Sequence, residues 1–220
     1  LVKAPRVAGV AFTGGVDTAK RINRVLAERE GPIVPFIAET GGLNAMIMDS
    51  TALPEQAVMD IVQSAFMSAG QRCSALRVLF VQDDVGERVT RMLTGAMDEL
   101  RLGDPGALRT DIGPVITPDA REMLDGHARG MDRTAKLLRR ASLGDEAAHG
   151  NFVAPAAFEI QSMNELQSEV FGPMLHVVRY DKRRLDEVID AINATGYGLT
   201  HGIHTRIDNT VDHIAGRVKA

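Results

Sequence analysis

One cysteine is all that this 220-residue sequence contains, so no internal disulfide can form and a reducing, cytoplasmic setting is the expectation. Positive charge is also short. The 25 Lys and Arg stand against 29 Asp and Glu, a net charge of −4, which leaves no surplus from which a phosphate-tracking surface could be built. Nucleic acid is therefore not an expected partner. No apolar run approaches the roughly 18 residues of a membrane span, and no basic segment followed by an apolar one opens the chain as a secretion signal would. The six histidines are scattered without metal-ligand spacing, and His201 and His204, on opposite sides of an expected strand, cannot chelate one ion, so no metal site is expected. Leu1 stands where a Met would begin a complete chain, and Ala220 follows a helical pattern without a cap; the sequence reads as a segment of a longer protein.

A hydrophobic fraction of 45% supplies the core for one full domain and part of another. Short β-branched runs alternate with helical patterns, which predicts an α/β fold with a mostly parallel sheet. Strands are expected at 7–12, 33–38, 44–48, 75–81, 152–160, 174–179 and 202–205, that at 33–38 buried. A first helix is expected to carry Val16, Ala19, Ile22, Val25 and Leu26 on one face. Another should begin at Pro54 and run to Gly70, with Ala57, Ile61, Ala65 and Ala69 aligned. Further helices are expected at 85–100, 118–135, 185–193 and 207–217, and Met46, Met48, Met59 and Met67 read as core. The polar stretch 101–117 is long for a connection inside a domain, and such loops are more often functional than random. One boundary is expected near the double glycine that follows Glu39, separating a piece of 1–40 from a domain of 41–220 that is truncated at its C-terminus.

Four short constellations carry chemical potential. Cys73, within Gly70-Gln71-Arg72-Cys73-Ser74-Ala75, lies between a helix end and a strand start, where a thiol can face a cleft and a guanidinium or free amides can favour the thiolate. Glu39 ends an apolar strand, so its carboxylate projects from the strand edge at which open α/β sheets hold ligands; partial burial there would suit a general base. Phe12-Thr13-Gly14-Gly15 before a helix is a generic anion cradle. Glu169-Val170-Phe171-Gly172-Pro173 sets an acid and an aromatic in front of a rigid turn. Taken singly, each is equally an inert thiol in a turn, a solvated acid, an ordinary strand-to-helix connection or a loop with one packed Phe.

In this order, with Glu39 and Cys73 34 residues apart, the four resemble the NAD(P)-dependent aldehyde dehydrogenase superfamily. The runs Ala38 to Ile47 and Ser68 to Leu79 are similar to the L-glutamate γ-semialdehyde (1-pyrroline-5-carboxylate) dehydrogenase half of the bifunctional proline utilization A family. The likeness continues through Asp111 to Ile116, Leu175 to Tyr180 and Tyr197 to Thr200. It implies the three-layer catalytic domain of that family preceded by the end of a Rossmann-like cofactor domain. It makes Cys73 the nucleophile, through a thiohemiacetal and then a thioester, Glu39 the activator of the hydrolytic water, and the Cys73 N–H one oxyanion donor. Thr13, Gly14 and Gly15 would meet the cofactor pyrophosphate, Glu169 would hold the nicotinamide ribose, Phe171 would pack near the nicotinamide, and Ser74 would bond the substrate's α-carboxylate. The family commonly has a serine where this chain has Gly15, so only backbone donors remain there. NAD is the implied cofactor, FAD belonging only to the proline dehydrogenase part of a bifunctional parent; the implied partner is a small aldehyde, and the implied parent is a homo-oligomer. A Cys/Glu thioester hydrolase, an aldehyde dehydrogenase of other specificity and a non-catalytic nucleotide-binding or assembly module are the competing readings.

Overall fold

A computed structural model describes residues 1–220, the side chains of residues 145 and 146 excepted. The chain forms two compact units, Leu1–Gly42 and Leu43–Ala220.

The first unit is a single parallel βαβ crossover. Strand β1 (Val10–Thr13) leads into helix α1 (Val16–Ala27), and the chain returns in β2 (Phe36–Glu39) with Thr13 in register with Glu39. The aligned apolar residues of α1 form as the spacing predicts, yet only Ala19 is buried. The expected buried strand at 33–38 is corrected in two respects. It starts at Phe36, and its residues lie largely open, with Ile33 fully exposed and Ile37 62% exposed. Two strands and one helix cover only one face of this sheet, so an apolar strand here cannot be enclosed.

The second unit is built on six strands in the order β5-β6-β7-β4-β3-β8. They are β3 (Ala45–Met48), β4 (Val78–Gln82), β5 (Lys136–Arg140), β6 (Ala156–Ile160), β7 (Met174–Tyr180) and β8 (His201–His204). All neighbours run parallel except β5, which is antiparallel to β6. Every residue of β3 and β4 is buried, as is nearly every residue of β6 and β7. Since successive side chains point to opposite faces, burial without alternation means that both faces are covered, which is the three-layer arrangement. The helices are α2 (Pro54–Phe66), α3 (Asp83–Asp98), α4 (Pro118–Thr134), α5 (Leu185–Ala194) and α6 (Asp208–Ala215). Pro54 opens α2 at its first turn, and the Thr117 hydroxyl caps α4 by accepting from the Ala120 N–H.

Three further expectations give way. Strand β5, with sequence Lys-Leu-Leu-Arg-Arg, is absent from the sequence reading because its charges continue the polar rhythm of α4; those same charges suit an exposed edge. Met59 is 67% exposed rather than core. Helix α2 does not reach Gly70. Regular helix stops at Phe66, and Ser68, Ala69 and Gly70 take left-handed φ values of 57°, 53° and 62°.

Candidate active site

The left-handed run ends three residues before Cys73. For Ser68 and Ala69 this conformation costs on the order of 1 kcal/mol each, so surrounding contacts must impose it. At Gly70 the contact is plain, because a Cβ there would stand 2.2 Å from the Gly172 carbonyl oxygen. The backbone before Cys73 is thus pressed onto the turn that precedes β7, and only glycine allows it.

Cys73 is exposed, and its peptide is held from below. The buried Asn44 donates through Nδ2 to the carbonyls of Cys73 (2.7 Å) and Ala75 (2.9 Å), while its own carbonyl accepts from the N–H groups of Arg77 and Val78. Gln71 Oε1 accepts from the Ile116 N–H at 2.9 Å, which docks the long 101–117 loop beside the same turn. Ser74 is exposed and lines a cleft of about 400 Å³ with Asp60, Arg72 and His204 among its walls.

Beneath the turn lies Arg77, fully buried. Its Nη1 donates to the Gly70 carbonyl (2.7 Å) and the Gly172 carbonyl (3.1 Å); its Nη2 donates to the Arg72 carbonyl (3.1 Å) and to Glu169 Oε1 (3.0 Å). The Phe171 ring centroid is 5.3 Å from the guanidinium carbon. Burial lowers the Arg77 pKa from its ordinary value, and Glu169 opposes that shift. Glu169 and Phe171 are therefore brought to the Cys73 turn through one buried cation. The Arg77 carbonyl in turn meets His176 Nδ1 at 3.1 Å, and His176 Nε2 meets His127 Nε2 at 2.9 Å. Burial, with the neighbouring His127, pushes His176 down to about 4, so the pair is neutral at physiological pH.

In the first unit, Thr13, Gly14 and Glu39 meet at the C-terminal ends of β1 and β2, where the Gly14 N–H donates to the Glu39 carbonyl at 3.1 Å. Gly15 caps α1 with no side-chain hydrogen bond and open space where a Cβ would stand, so no cap side chain satisfies the first amides of the helix. A Cβ at Gly14 would collide with the Phe12 ring. Glu39 is exposed, so the partial burial expected of it is absent.

Sequence reasoning missed Arg77, Asn44 and the His127–His176 pair as parts of this site. Arg77 occurs in the sequence only as one polar residue at the start of a strand. An Arg just before four consecutive apolar residues was the available sign, since a charge at such a place is buried only if paired.

The whole chain, residues 1–220, matches the family described as "Aldehyde dehydrogenase family". The chain belongs to that family. It is 51% identical to "Bifunctional protein PutA" of Klebsiella aerogenes, covering 100% of this chain and 17% of that protein. It is 33% identical to "1-pyrroline-5-carboxylate dehydrogenase" of Geobacillus kaustophilus, over 94% of this chain and 40% of that one. A crystal structure of a Bradyrhizobium japonicum Proline Utilization A mutant superposes with a TM-score of 0.96 at 52% identity, covering 100% of this chain and 22% of the other. The aldehyde dehydrogenase fold expected from the motifs is thereby established, and the chain spans only about a sixth of the PutA protein it matches. Among the described residues, no helix is long and apolar enough to cross a membrane.

Proposed function

We propose that this chain carries the nucleophile and part of the cofactor surface of an enzyme that oxidises L-glutamate γ-semialdehyde to L-glutamate with NAD in proline catabolism. The observation that carries this reading is the exposed Cys73, held on a rigid turn that Arg77 joins to Glu169 and Phe171. The names of the PutA and 1-pyrroline-5-carboxylate dehydrogenase relatives support the substrate.

Within each unit, taken by itself, residues suit one part of a nicotinamide dinucleotide. Glu169 has one oxygen on Arg77 and a side chain 15% exposed, Phe171 offers an apolar face 37% exposed, and the uncapped amides of α1 beside Gly14 and Gly15 suit a pyrophosphate. When bound, that group supplies the acceptor of two electrons.

The remaining work belongs to side chains. Cys73 Sγ attacks the aldehyde carbon, forming a C–S bond and a thiohemiacetal whose oxygen lies toward the Cys73 N–H. After oxidation the acyl group stays on sulfur as a thioester. Glu39 then takes a proton from water as the water oxygen attacks the acyl carbon, and the C–S bond breaks to return the thiol and release the acid. The Ser74 hydroxyl bonds the carboxylate of a short substrate. The Glu169–Phe171 loop favours oxidation over simple thioester hydrolysis, because a hydrolase has no use for an acid and an aromatic clamped to the nucleophile turn.

The test is reduction of NAD+ by the enzyme containing this chain, followed at about 340 nm where the reduced cofactor absorbs. Glutamate semialdehyde should drive it. No reduction while acyl thioesters are still hydrolysed would replace this reading with the hydrolase.

A further inference from the structure

Among the described residues, Arg77 is the only lysine or arginine that is buried. A buried guanidinium loses its hydration and survives only where the protein returns acceptors in the right directions. Four acceptors are returned here, and their distribution is informative. Nη1 bridges Gly70 to Gly172, and Nη2 bridges Arg72 to Glu169, so each nitrogen holds one acceptor from the Cys73 turn and one from the Glu169–Gly172 loop. All four hydrogen-bond acceptors of its side chain lie in one of the two site-bearing segments rather than in the scaffold sheet. The same seam is where Gly70 presses on the Gly172 carbonyl. Behind it, the backbone of Arg77 is locked by Asn44 on one side and by the N–H and Nδ1 of His176 on the other.

We propose that Arg77 is a positioning residue that sets the Cys73 turn and the Glu169–Phe171 loop at a fixed separation, so that the thiol and the cofactor-facing carboxylate stand as one unit. This rests on the reading of Cys73 as nucleophile and Glu169 as a cofactor contact. By taking Glu169 Oε1, Arg77 fixes the rotation of the carboxylate and leaves the other oxygen to accept a hydroxyl. By taking the carbonyls of Gly70 and Arg72, it braces the strained segment that aims Cys73. The planar fork is essential, since four acceptors on two sides of a seam cannot be met by one ammonium nitrogen. Charge is a second, separable contribution, because the guanidinium and a Cys73 thiolate attract one another.

Two substitutions in the complete enzyme separate fork from charge. Arg77→Lys keeps the charge and loses the fork. It should raise the NAD+ dissociation constant, measured by calorimetry, on the order of tenfold, and raise KM for NAD+ more than it lowers kcat. The rate of Cys73 alkylation by iodoacetamide at neutral pH should stay near that of the parent. Arg77→Met loses both the charge and the brace on the Gly70 and Arg72 carbonyls, and alkylation of Cys73 on the unbraced turn should slow by about threefold or more. In the double variant with Glu169→Gln, Arg77→Lys should add little to the affinity loss of Glu169→Gln alone, because Arg77 acts through that carboxylate. An unchanged dissociation constant in Arg77→Lys, beside a raised one in Glu169→Gln, would overturn the proposal, as would losses that multiply in the double variant. If Glu169→Gln itself binds NAD+ normally, the cofactor role of Glu169 fails instead; alkylation in Arg77→Met then decides, and a parental rate overturns the clamp. Should Arg77→Met not fold, the affinity and cycle measured with Arg77→Lys decide.

Discussion

The two units use similar sequence patterns to opposite ends. In Leu1–Gly42 the strand Phe-Ile-Ala-Glu and the amphipathic α1 leave their apolar residues half-covered or open, and Ala19 alone is buried. In Leu43–Ala220 the strand Ala-Met-Ile-Met is buried at every position. Apolar character is not what differs. A strand of a parallel sheet is enclosed only when neighbours and helices cover both its faces, and the second unit supplies six strands and five helices where the first supplies two and one. The chemistry divides along the same line. The proposed nucleophile, Cys73, and the residues clamped beneath it are in the enclosed unit, while the exposed Glu39 and the uncapped helix N-terminus are in the thin one.

The sharpest way to break that division is to compare Cys73→Ala with Glu39→Gln in the complete enzyme. Cys73→Ala should abolish semialdehyde oxidation while leaving cofactor affinity near its parental value, since only the covalent step needs the sulfur. Activity above a few per cent would remove the nucleophile assignment. Glu39→Gln should spare the first half of the reaction and slow the second, giving a stoichiometric burst of reduced cofactor before slow turnover. Loss of the burst would place Glu39 earlier in the mechanism.

Unequal burial should also appear as unequal stability. Phe158 is fully enclosed, so Phe158→Ala is expected to destabilise the 220-residue chain by about 3–5 kcal/mol. Ile37→Ala in the first unit should change it by less than about 0.5 kcal/mol. Urea unfolding checks both, and a large loss at Ile37 would mean that the first unit is enclosed in solution.

Acid should act on the enclosed unit. His176, neutral and buried against His127 and Arg77, has its pKa lowered from 6.5 to about 4. Between those values the unfolded chain binds the proton and the folded chain does not, so the stability present above pH 6.5 is lost as pH falls toward 4. The shift corresponds to about 3 kcal/mol. His176→Gln should flatten this part of the acid limb in urea unfolding at successive pH values; an unchanged limb would show that carboxylates account for it.

The smallest effect concerns specificity. Ser74→Ala should lower kcat/KM for glutamate semialdehyde by about tenfold to a hundredfold, as expected for a lost hydrogen bond of about 1.5–3 kcal/mol to a charged group. Propanal has no carboxylate and should be affected much less. Equal losses for both substrates would reduce Ser74 to a small turn residue on the cleft wall.

Much of the fold was legible because its elements carry local signals. Pro54 and Pro118 mark helix starts, and apolar runs mark β3, β4 and β7. Strand β5 was not legible, since its five residues gain their identity from pairing with β6 and from lying at an edge. For the site, Cys73, Ser74, Glu39, Glu169 and Phe171 could be picked out as motif residues, but nothing in their spacing says that Glu169 and Cys73 answer to the same guanidinium.

By itself, the sequence determined the α/β class, the order of the main elements and the family, and it singled out the residues proposed for the site, because each is written in periodicity, in turn chemistry or in short contiguous motifs. Only the tertiary structure decided where α2 stops, since the pressure of Gly70 against Gly172 comes from a residue about a hundred positions away. It alone decided that Ile37 is open and Ile47 enclosed, because burial depends on the layers around a strand and not on the strand. And it alone made Arg77 the centre of the site, because a charge at the head of an apolar strand acquires its partners from two loops that meet only when the sheet is assembled.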